Sequence, residues 1–405
     1  MKKNVEIKVP LIYAVCFGVL IYLLNLFFYP SILNQESFLH WDAEHYYWIK
    51  NNGYEGFRVA FFPLFPMLWK VTSLSVYGVV LFNALLFLFS FYFLARLFSL
   101  PPLHILLYLS IPSFFFFYLP YSESVFFASA TILLAGLKSK KSSLVFLGLF
   151  FSTLSRPAFT VFIPALIIAE LLSKEKDKKI VWRILLYILI STAGLLLVAI
   201  VQQHYTGQWF RFFEAQKGWG NYLQVPKFPL TSWAGDLIVR LDGASLLIGL
   251  TAGITVLLYI FKAGSMKEIK LPTEVIFSLC YLAGISMTVL LFRGGNLFSL
   301  NRFVFAVPFI IVAADFYLKQ DFTFTNKQVL VVFFVVFIFW LSFGSYVHIQ
   351  ALLKYLLLSL YLILLISCKS GNKIFSKTSI ILLILINMIF QLAFYTRFLN
   401  GGWVG

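Results

Sequence analysis

Apolar runs long enough to cross a bilayer recur along almost the whole of this 405-residue chain, and they constrain its fold before any motif is considered. They lie near 9–29, 74–98, 103–119, 124–137, 142–155, 158–172, 184–202, 244–261, 274–292, 303–318, 328–346, 349–367 and 379–397, about thirteen in all. A hydrocarbon core of about 30 Å takes about 20 apolar residues wound as a helix. The runs are continuous rather than alternating, which excludes a transmembrane β-barrel. Only 12% of residues are charged, against about 25% in soluble domains. The expected fold is therefore all-α, a polytopic transmembrane helical bundle forming a single domain over 1–405. The runs 142–155 and 158–172 are short for a crossing and admit a tilted or re-entrant hairpin. The 48 Phe and 21 Tyr residues lead to the expectation that bulk, rather than close Gly contact, fills the helix seams.

The formal charge of +16 would suggest nucleic acid in a soluble protein, but its distribution here is topological. Basic clusters at Lys2, Lys3 and Lys8, at Lys138, Lys140 and Lys141, and at Lys174 to Arg183 sit between apolar runs. Further clusters fall at Lys262 to Lys270, at Lys319 and Lys327, and at Lys369 to Lys377. Alternating crossings place every one of them on the cytoplasmic face, as the positive-inside rule requires. The first run is expected to stay as a signal anchor, giving a multi-pass protein of the inner (plasma) membrane with no nucleic-acid partner. The same parity puts a first outer loop (30–73), a second large one (203–243), and the turns at 120–123, 156–157 and 293–302 on the opposite face. Cys16, Cys280 and Cys368 are too scattered for a metal site and read as small hydrophobes.

The block His40 to Pro66, HWDAEHYYWIKNNGYEGFRVAFFPLFP, concentrates Asp42, Glu44, His45 and Glu55 in a chain with only 16 acidic residues. Carboxylates at a membrane boundary are costly and need a reason. Interleaved aromatics are expected to form interfacial helices, anchored by Trp41, Tyr46, Tyr47 and Trp48. On a helix over 42–50, Asp42 and Tyr46 share a face while Glu44 points away. Asp42 has two readings: an N-cap for that helix, or a buried carboxylate whose raised basicity suits a general base. His45 is either structural or placed to orient a hydroxyl or phosphate oxygen.

This block resembles the signature of the PIG-V family, the second mannosyltransferase of glycosylphosphatidylinositol assembly, with its bacterial relatives. Trp41, Asp42, His45, Gly53, Tyr54, Ala60, Phe61, Phe62, Pro63 and Pro66 carry the likeness. Weaker echoes are PYSESVFF at 120–127, SRPAF at 155–159, NRFVFAVP at 301–308 and the terminal GGWVG. The resemblance implies a GT-C glycosyltransferase, a polytopic enzyme that takes a sugar from a polyprenyl-phosphate carrier on the non-cytoplasmic, periplasmic or extracellular face. It implies that Asp42 deprotonates an acceptor hydroxyl, which displaces the lipid phosphate with inversion. The donor would be a polyprenyl-phosphate sugar, with mannose the implied sugar. The acceptor would be a lipid-linked or envelope glycan, and no metal or other cofactor would be required.

Around Asp42 the expected substrate-binding set is Glu44, His45, Tyr46, Tyr54, Glu123, Arg156, Arg293, Arg302 and Trp403. A departing phosphate needs cationic partners, and Arg156, Arg293 and Arg302 fall at outer turns. Each has the alternative of snorkelling to the interface. Glu123 is expensive in a hydrophobic hairpin unless it meets a sugar, an outer Arg or His45. Trp403 either covers the pocket or anchors at the interface. Pro63 and Pro66 shape the motif loop, and 203–243 is expected to act as an acceptor-side lid. The rival class is a transporter or flippase of a lipid-linked sugar. The one-sided grouping of acids, with only Asp315 near mid-span, favours the enzyme.

Overall fold

The computed structural model describes residues 7–157, 159–173, 179–232, 236–262, 271–320, 323–343 and 349–405. The basic stretches at 174–178 and 263–270 lie outside the described residues, as do Lys2 and Lys3. Among the described residues regular structure is helical, apart from one isolated bridge between Thr231 and Asn296. After α1 (Lys8–Phe27), the first long connection is itself helical. It holds a 3₁₀ turn at Glu36–Phe38, α2 (Asp42–Asn52), a second 3₁₀ turn at Gly56–Ala60 and α3 (Leu64–Thr72). There follow α4 (Val76–Phe98), α5 (Pro102–Leu109), a 3₁₀ run at Pro112–Tyr118, α6 (Glu123–Ser139), α7 (Ser142–Ser155), α8 (Phe159–Leu172) and α9 (Ile180–Thr206). The chain continues through α10 (Phe212–Gly218), α11 (Asp236–Lys262), α12 (Thr273–Phe292), α13 (Leu300–Phe305) and α14 (Pro308–Lys319). It closes with α15 (Asn326–Leu341), α16 (Ile349–Ser367) and α17 (Lys373–Leu399).

Among the described residues six helices are long and apolar enough to cross a membrane: α1, α4, α9, the Leu241–Phe261 part of α11, α12 and α17. Shorter apolar helices cover α7, α15, Thr160–Leu172 and Leu358–Ser367. The expected count of thirteen is not reached, and proline explains two of the differences. The run 103–119 breaks at Pro112 into α5 and a 3₁₀ segment, and the run 303–318 breaks at Pro308 into α13 and α14. Proline lacks the N–H that would continue the helix and pushes the preceding residue out of the helical region. Ile111 (ψ 125°) and Val307 (ψ 153°) show that displacement.

Buried side chains satisfy the carbonyls these breaks release. Gln391 on α17 donates to Leu109 O (3.1 Å) and Ile111 O (3.2 Å), and its own carbonyl accepts from the Tyr13 hydroxyl on α1. Asn83 on α4 donates to Leu119 O (2.6 Å) and Tyr121 O (2.9 Å), fixing the turn that delivers Glu123 to the start of α6. An unpaired buried carbonyl costs about 1–3 kcal/mol, so these amides define where the irregular backbone sits.

Aromatic bulk fills much of the core, with Phe87 stacked on Phe117 at 3.9 Å and meeting Phe114 and Phe127 edge-on. The α6/α7 seam departs from that expectation. A Cβ on Gly136 would lie 2.5 Å from Val145 N, and one on Gly148 would lie 2.4 Å from Leu133 N. Here two glycines let backbones touch, as small residues do between membrane helices.

The bundle has two polar ends. At one, Lys138 meets Glu274 (3.4 Å), Arg183 meets Glu170 (2.9 Å) and Lys319 meets Asp315 (2.6 Å). Asp315 lies one turn before the end of α14, paired with Lys319. At the other end of α6, about 22 Å away at 1.5 Å per residue, lies Glu123. The helices α7 and α8 have 14 residues each, shorter than the six candidate spans.

Candidate functional site

The site begins with a strained residue. Trp41, immediately before α2, has φ 58° and ψ −125°, a combination that an aromatic residue adopts only when its surroundings enforce it. Its ring packs edge-on against Trp403 at 4.9 Å. With Trp41 in the cap position and contributing no side-chain bond, Asp42 becomes the first helical residue. The N-cap reading of Asp42 therefore fails, and its carboxylate points elsewhere.

That carboxylate meets Arg302. Arg302 Nη1 donates to Asp42 Oδ2 at 2.7 Å, while Nε and Nη2 reach Glu123 Oε1 at 2.8 and 2.7 Å. Arg156 Nη2 forms a second ion pair with the same Glu123 oxygen, and Arg156 Nε donates to Ser122 Oγ at 3.1 Å. The Tyr46 hydroxyl also donates to Ser122 Oγ, at 2.9 Å, bracing α2 against the start of α6. Four charged residues from four separate segments thus form one network with two positive and two negative charges. Glu123 is fully buried, Arg156 and Arg302 nearly so, and the Asp42 side chain is 21% exposed. Among the described residues Asp42 Oδ1 takes no hydrogen bond, so one carboxylate oxygen is pinned and the other is open.

The rings of Phe116 and Tyr121 lie 5.0 and 4.7 Å from the Arg302 guanidinium carbon, and those of Phe126 and Phe303 flank Arg156. Aromatic faces compensate part of the lost hydration of a cation. Burial works against the Arg302 charge, but Glu123 and Asp42 overcome it and hold the guanidinium above its ordinary value. Asp42 is consequently an ion-paired carboxylate and not the isolated buried one expected from sequence. Buried polar atoms remain without a partner in this region: Glu123 Oε2, Arg156 Nη1, His45 Nδ1 and Trp403 Nε1.

The other expected residues divide around this network. Glu44 is exposed on the opposite side of α2, as the helical spacing predicts. His45 packs against Phe57 (5.2 Å) and Phe61 (5.1 Å). Its pKa is lowered by burial first and by Arg58, against the upward pull of Asp42 and Glu44, so the ring is neutral near pH 7. Tyr54 packs against Tyr205 at 5.8 Å with its hydroxyl buried and unpartnered, and makes no bond to the network. Arg293 makes no hydrogen bond to the network, donating from Nε to Asn221 Oδ1 (3.1 Å) and from Nη1 to Phe298 O, but it lies within electrostatic reach of Asp42, Arg302 and Asp242. The segment after α9 closes against the motif loop, with Trp219 beside Phe57 and Phe61 and Gln202 bridging Val59 O and Phe212 N. Its residues 233–235 and the Asp236 side chain lie outside the described set. The terminal stretch returns to the same place, where Asn301 Nδ2 donates to Val404 O at 3.2 Å.

Sequence reading missed Ser122, the hydroxyl shared by Tyr46 and Arg156, and Asp242, which is fully buried beside Asn301. Ser122 sits in the PYSESVFF stretch, whereas Asp242 opens an apolar run with nothing in its neighbourhood to mark it. Among the described residues no group of three or more His, Cys, Asp or Glu side chains is placed to hold a metal ion. No family model matches the chain, and neither a curated protein nor a solved structure matches it.

Proposed function

We propose that the chain is a GT-C type glycosyltransferase of the PIG-V kind, taking a sugar, mannose on the resemblance, from a polyprenyl-phosphate donor. The acceptor is a lipid-linked or envelope glycan at the non-cytoplasmic face of the plasma membrane. The observation that carries this reading is the Asp42 carboxylate, one oxygen pinned by Arg302 and the other open, beside a second buried guanidinium with an unpartnered donor. In this reading Asp42 Oδ1 accepts the proton of an acceptor hydroxyl, and the hydroxyl oxygen bonds to the anomeric carbon. The bond from that carbon to the carrier phosphate breaks, its electron pair leaves with the phosphate, and the sugar inverts. Proton uptake cancels the Asp42 charge, so Arg302 loses one of its two counterions, keeping Glu123, as the phosphate gains charge. Arg156 supplies a further donor through Nη1. A cation already in place where charge develops lowers the barrier without reorganising. The donor is a singly charged phosphodiester and the departing polyprenyl phosphate a doubly charged monoester; in this reading the two arginines, and no divalent metal, balance the added charge.

The test uses purified protein in lipid vesicles with radiolabelled polyprenyl-phosphate sugars and membrane extract. The expected result is labelled glycolipid or glycan, formed equally in the presence of EDTA. Movement of intact labelled donor across the bilayer without a new glycosidic bond would instead identify a flippase. Transfer abolished by EDTA and restored by Mg²⁺ or Mn²⁺ would overturn the metal-free step.

A further inference from the structure

The short helix α13 presents Arg302 in its first turn, yet that turn has no cap of its own. Ser299, at the N-cap position, sits at φ 64° and makes no side-chain bond to the helix amides. The amide of Asn301 would be an orphan donor at a buried helix start. It is satisfied from outside the helix: Asp242 Oδ1 accepts from Asn301 N at 2.9 Å and from Asn301 Nδ2 at 2.8 Å. The other oxygen, Oδ2, accepts from Ser232 Oγ at 2.7 Å. Asn301 is held from two further sides, its carbonyl accepting from Ser113 Oγ at 3.1 Å and its Nδ2 donating to Val404 O. Asp242 and Asn301 are both fully buried, and Arg293 lies close enough to act on the Asp242 charge, but the carboxylate takes its hydrogen bonds from Asn301 and Ser232. A buried carboxylate that takes three hydrogen bonds from the backbone and side chains of other segments is tied to their placement.

We infer that Asp242 is a positioning residue, a cap supplied by α11 that fixes the backbone of α13 so that Arg302 reaches Asp42 and Glu123 together. The inference rests on the proposed transfer reaction for its catalytic consequence, but not for its structural one. Asn301 lies next to Arg302 in the chain, so a tilt of the first turn of α13 moves the guanidinium away from both carboxylates. An amide side chain at 242 keeps an acceptor for Asn301 while its NH₂ faces the Ser232 hydroxyl, which can rotate to accept. Asp242→Asn is therefore expected to preserve the arrangement, and Asp242→Ala to lose it.

Arg302 accessibility is read by phenylglyoxal labelling and peptide mass spectrometry on full-length protein in lipid, alongside glycosyl transfer. Wild type and Asp242→Asn should label slowly at Arg302. Asp242→Ala should label severalfold faster and lose about 10- to 100-fold in kcat with donor KM little changed, the size expected for a lost charge-assisted bond acting through Arg302. Where Asp242→Ala does not fold, Ser113→Ala and Asn301→Ala are compared: Asn301→Ala removes the bonds to Asp242, Ser113 and Val404 but leaves the amide bond and should speed labelling, whereas Ser113→Ala should leave it near wild type. Wild-type labelling of Arg302 in Asp242→Ala and Asn301→Ala, equal labelling of Ser113→Ala and Asn301→Ala, or equal damage from Asp242→Asn, overturns the inference. Faster labelling in Asp242→Ala with no transfer detectable in wild type would leave the positioning role standing and remove the glycosyltransferase reading.

Discussion

Arg302 Nη1 lies 2.7 Å from Asp42 Oδ2, joining the first connection of the chain to a turn 260 residues later. The same guanidinium grips Glu123 through Nε and Nη2, which makes Arg302 the centre of the network. Its planar fork fits that geometry and a lysine ammonium does not. Arg302→Lys should fold but lose at least one carboxylate contact, and Arg302→Gln should lower stability by about 3–5 kcal/mol by stranding Glu123 beside Arg156 alone. Thermal unfolding in detergent checks the second value, and an unchanged melting temperature for Arg302→Gln would contradict it.

Glu123 offers a test of coupling. Glu123→Gln leaves two buried guanidinium groups without their shared counterion, a loss of about 3–5 kcal/mol. Arg156→Gln made in that background should cost much less than in wild type, because the charge it removes is by then uncompensated. A double-mutant cycle by thermal melting measures the difference, and additive losses would show that the pair is not coupled.

His45 predicts a pH dependence whose sign follows from burial. Its folded pKa lies below the ordinary 6.5, so the unfolded chain takes up the proton first as pH falls. Stability is complete above 6.5 and declines through the window between 6.5 and the lowered folded value. His45→Phe should remove that component while keeping the packing against Phe57 and Phe61. Melting temperatures at about pH 7.5 and about pH 5.5 should differ less for His45→Phe than for wild type, and an equal difference would exclude His45 as the source.

Gly53 closes α2 at φ 84°, and a Cβ there would sit 2.3 Å from Tyr205 Cε1. Gly53→Ala should destabilise by about 1–3 kcal/mol through backbone strain plus the clash. Adding Tyr205→Ala should recover only the steric share, so a complete rescue would mean that backbone strain contributes nothing.

Much of this arrangement was legible in the chain, and the reasons differ by residue. Glu123 and Arg302 were recognisable because a lone acid and a lone base at turns between apolar runs each need a partner, and each has become the other's. Glu44 was separable from Asp42 by helical spacing alone. The breaks at Pro112 and Pro308 were visible as prolines, yet hydropathy ran straight through them and gave single spans. Asp42 as a cap was reasonable locally and fails because Trp41 is held at positive φ by tertiary packing. Arg293 carried the same signal as Arg302 and ends on Asn221 and Phe298, a choice made by a long-range fold that no local pattern encodes. Asp242 was invisible for the same reason, since its meaning lies in an amide nearly sixty residues away.

The central claim, that Asp42 is the base of a glycosyl transfer, is tested most directly by Asp42→Asn, which keeps size and an acceptor for Arg302 but removes the proton-accepting charge. Initial rates of sugar transfer from a polyprenyl-phosphate donor should fall by about 10²–10⁴-fold while the melting temperature changes little. Transfer at a near-normal rate by a folded Asp42→Asn protein would contradict the account.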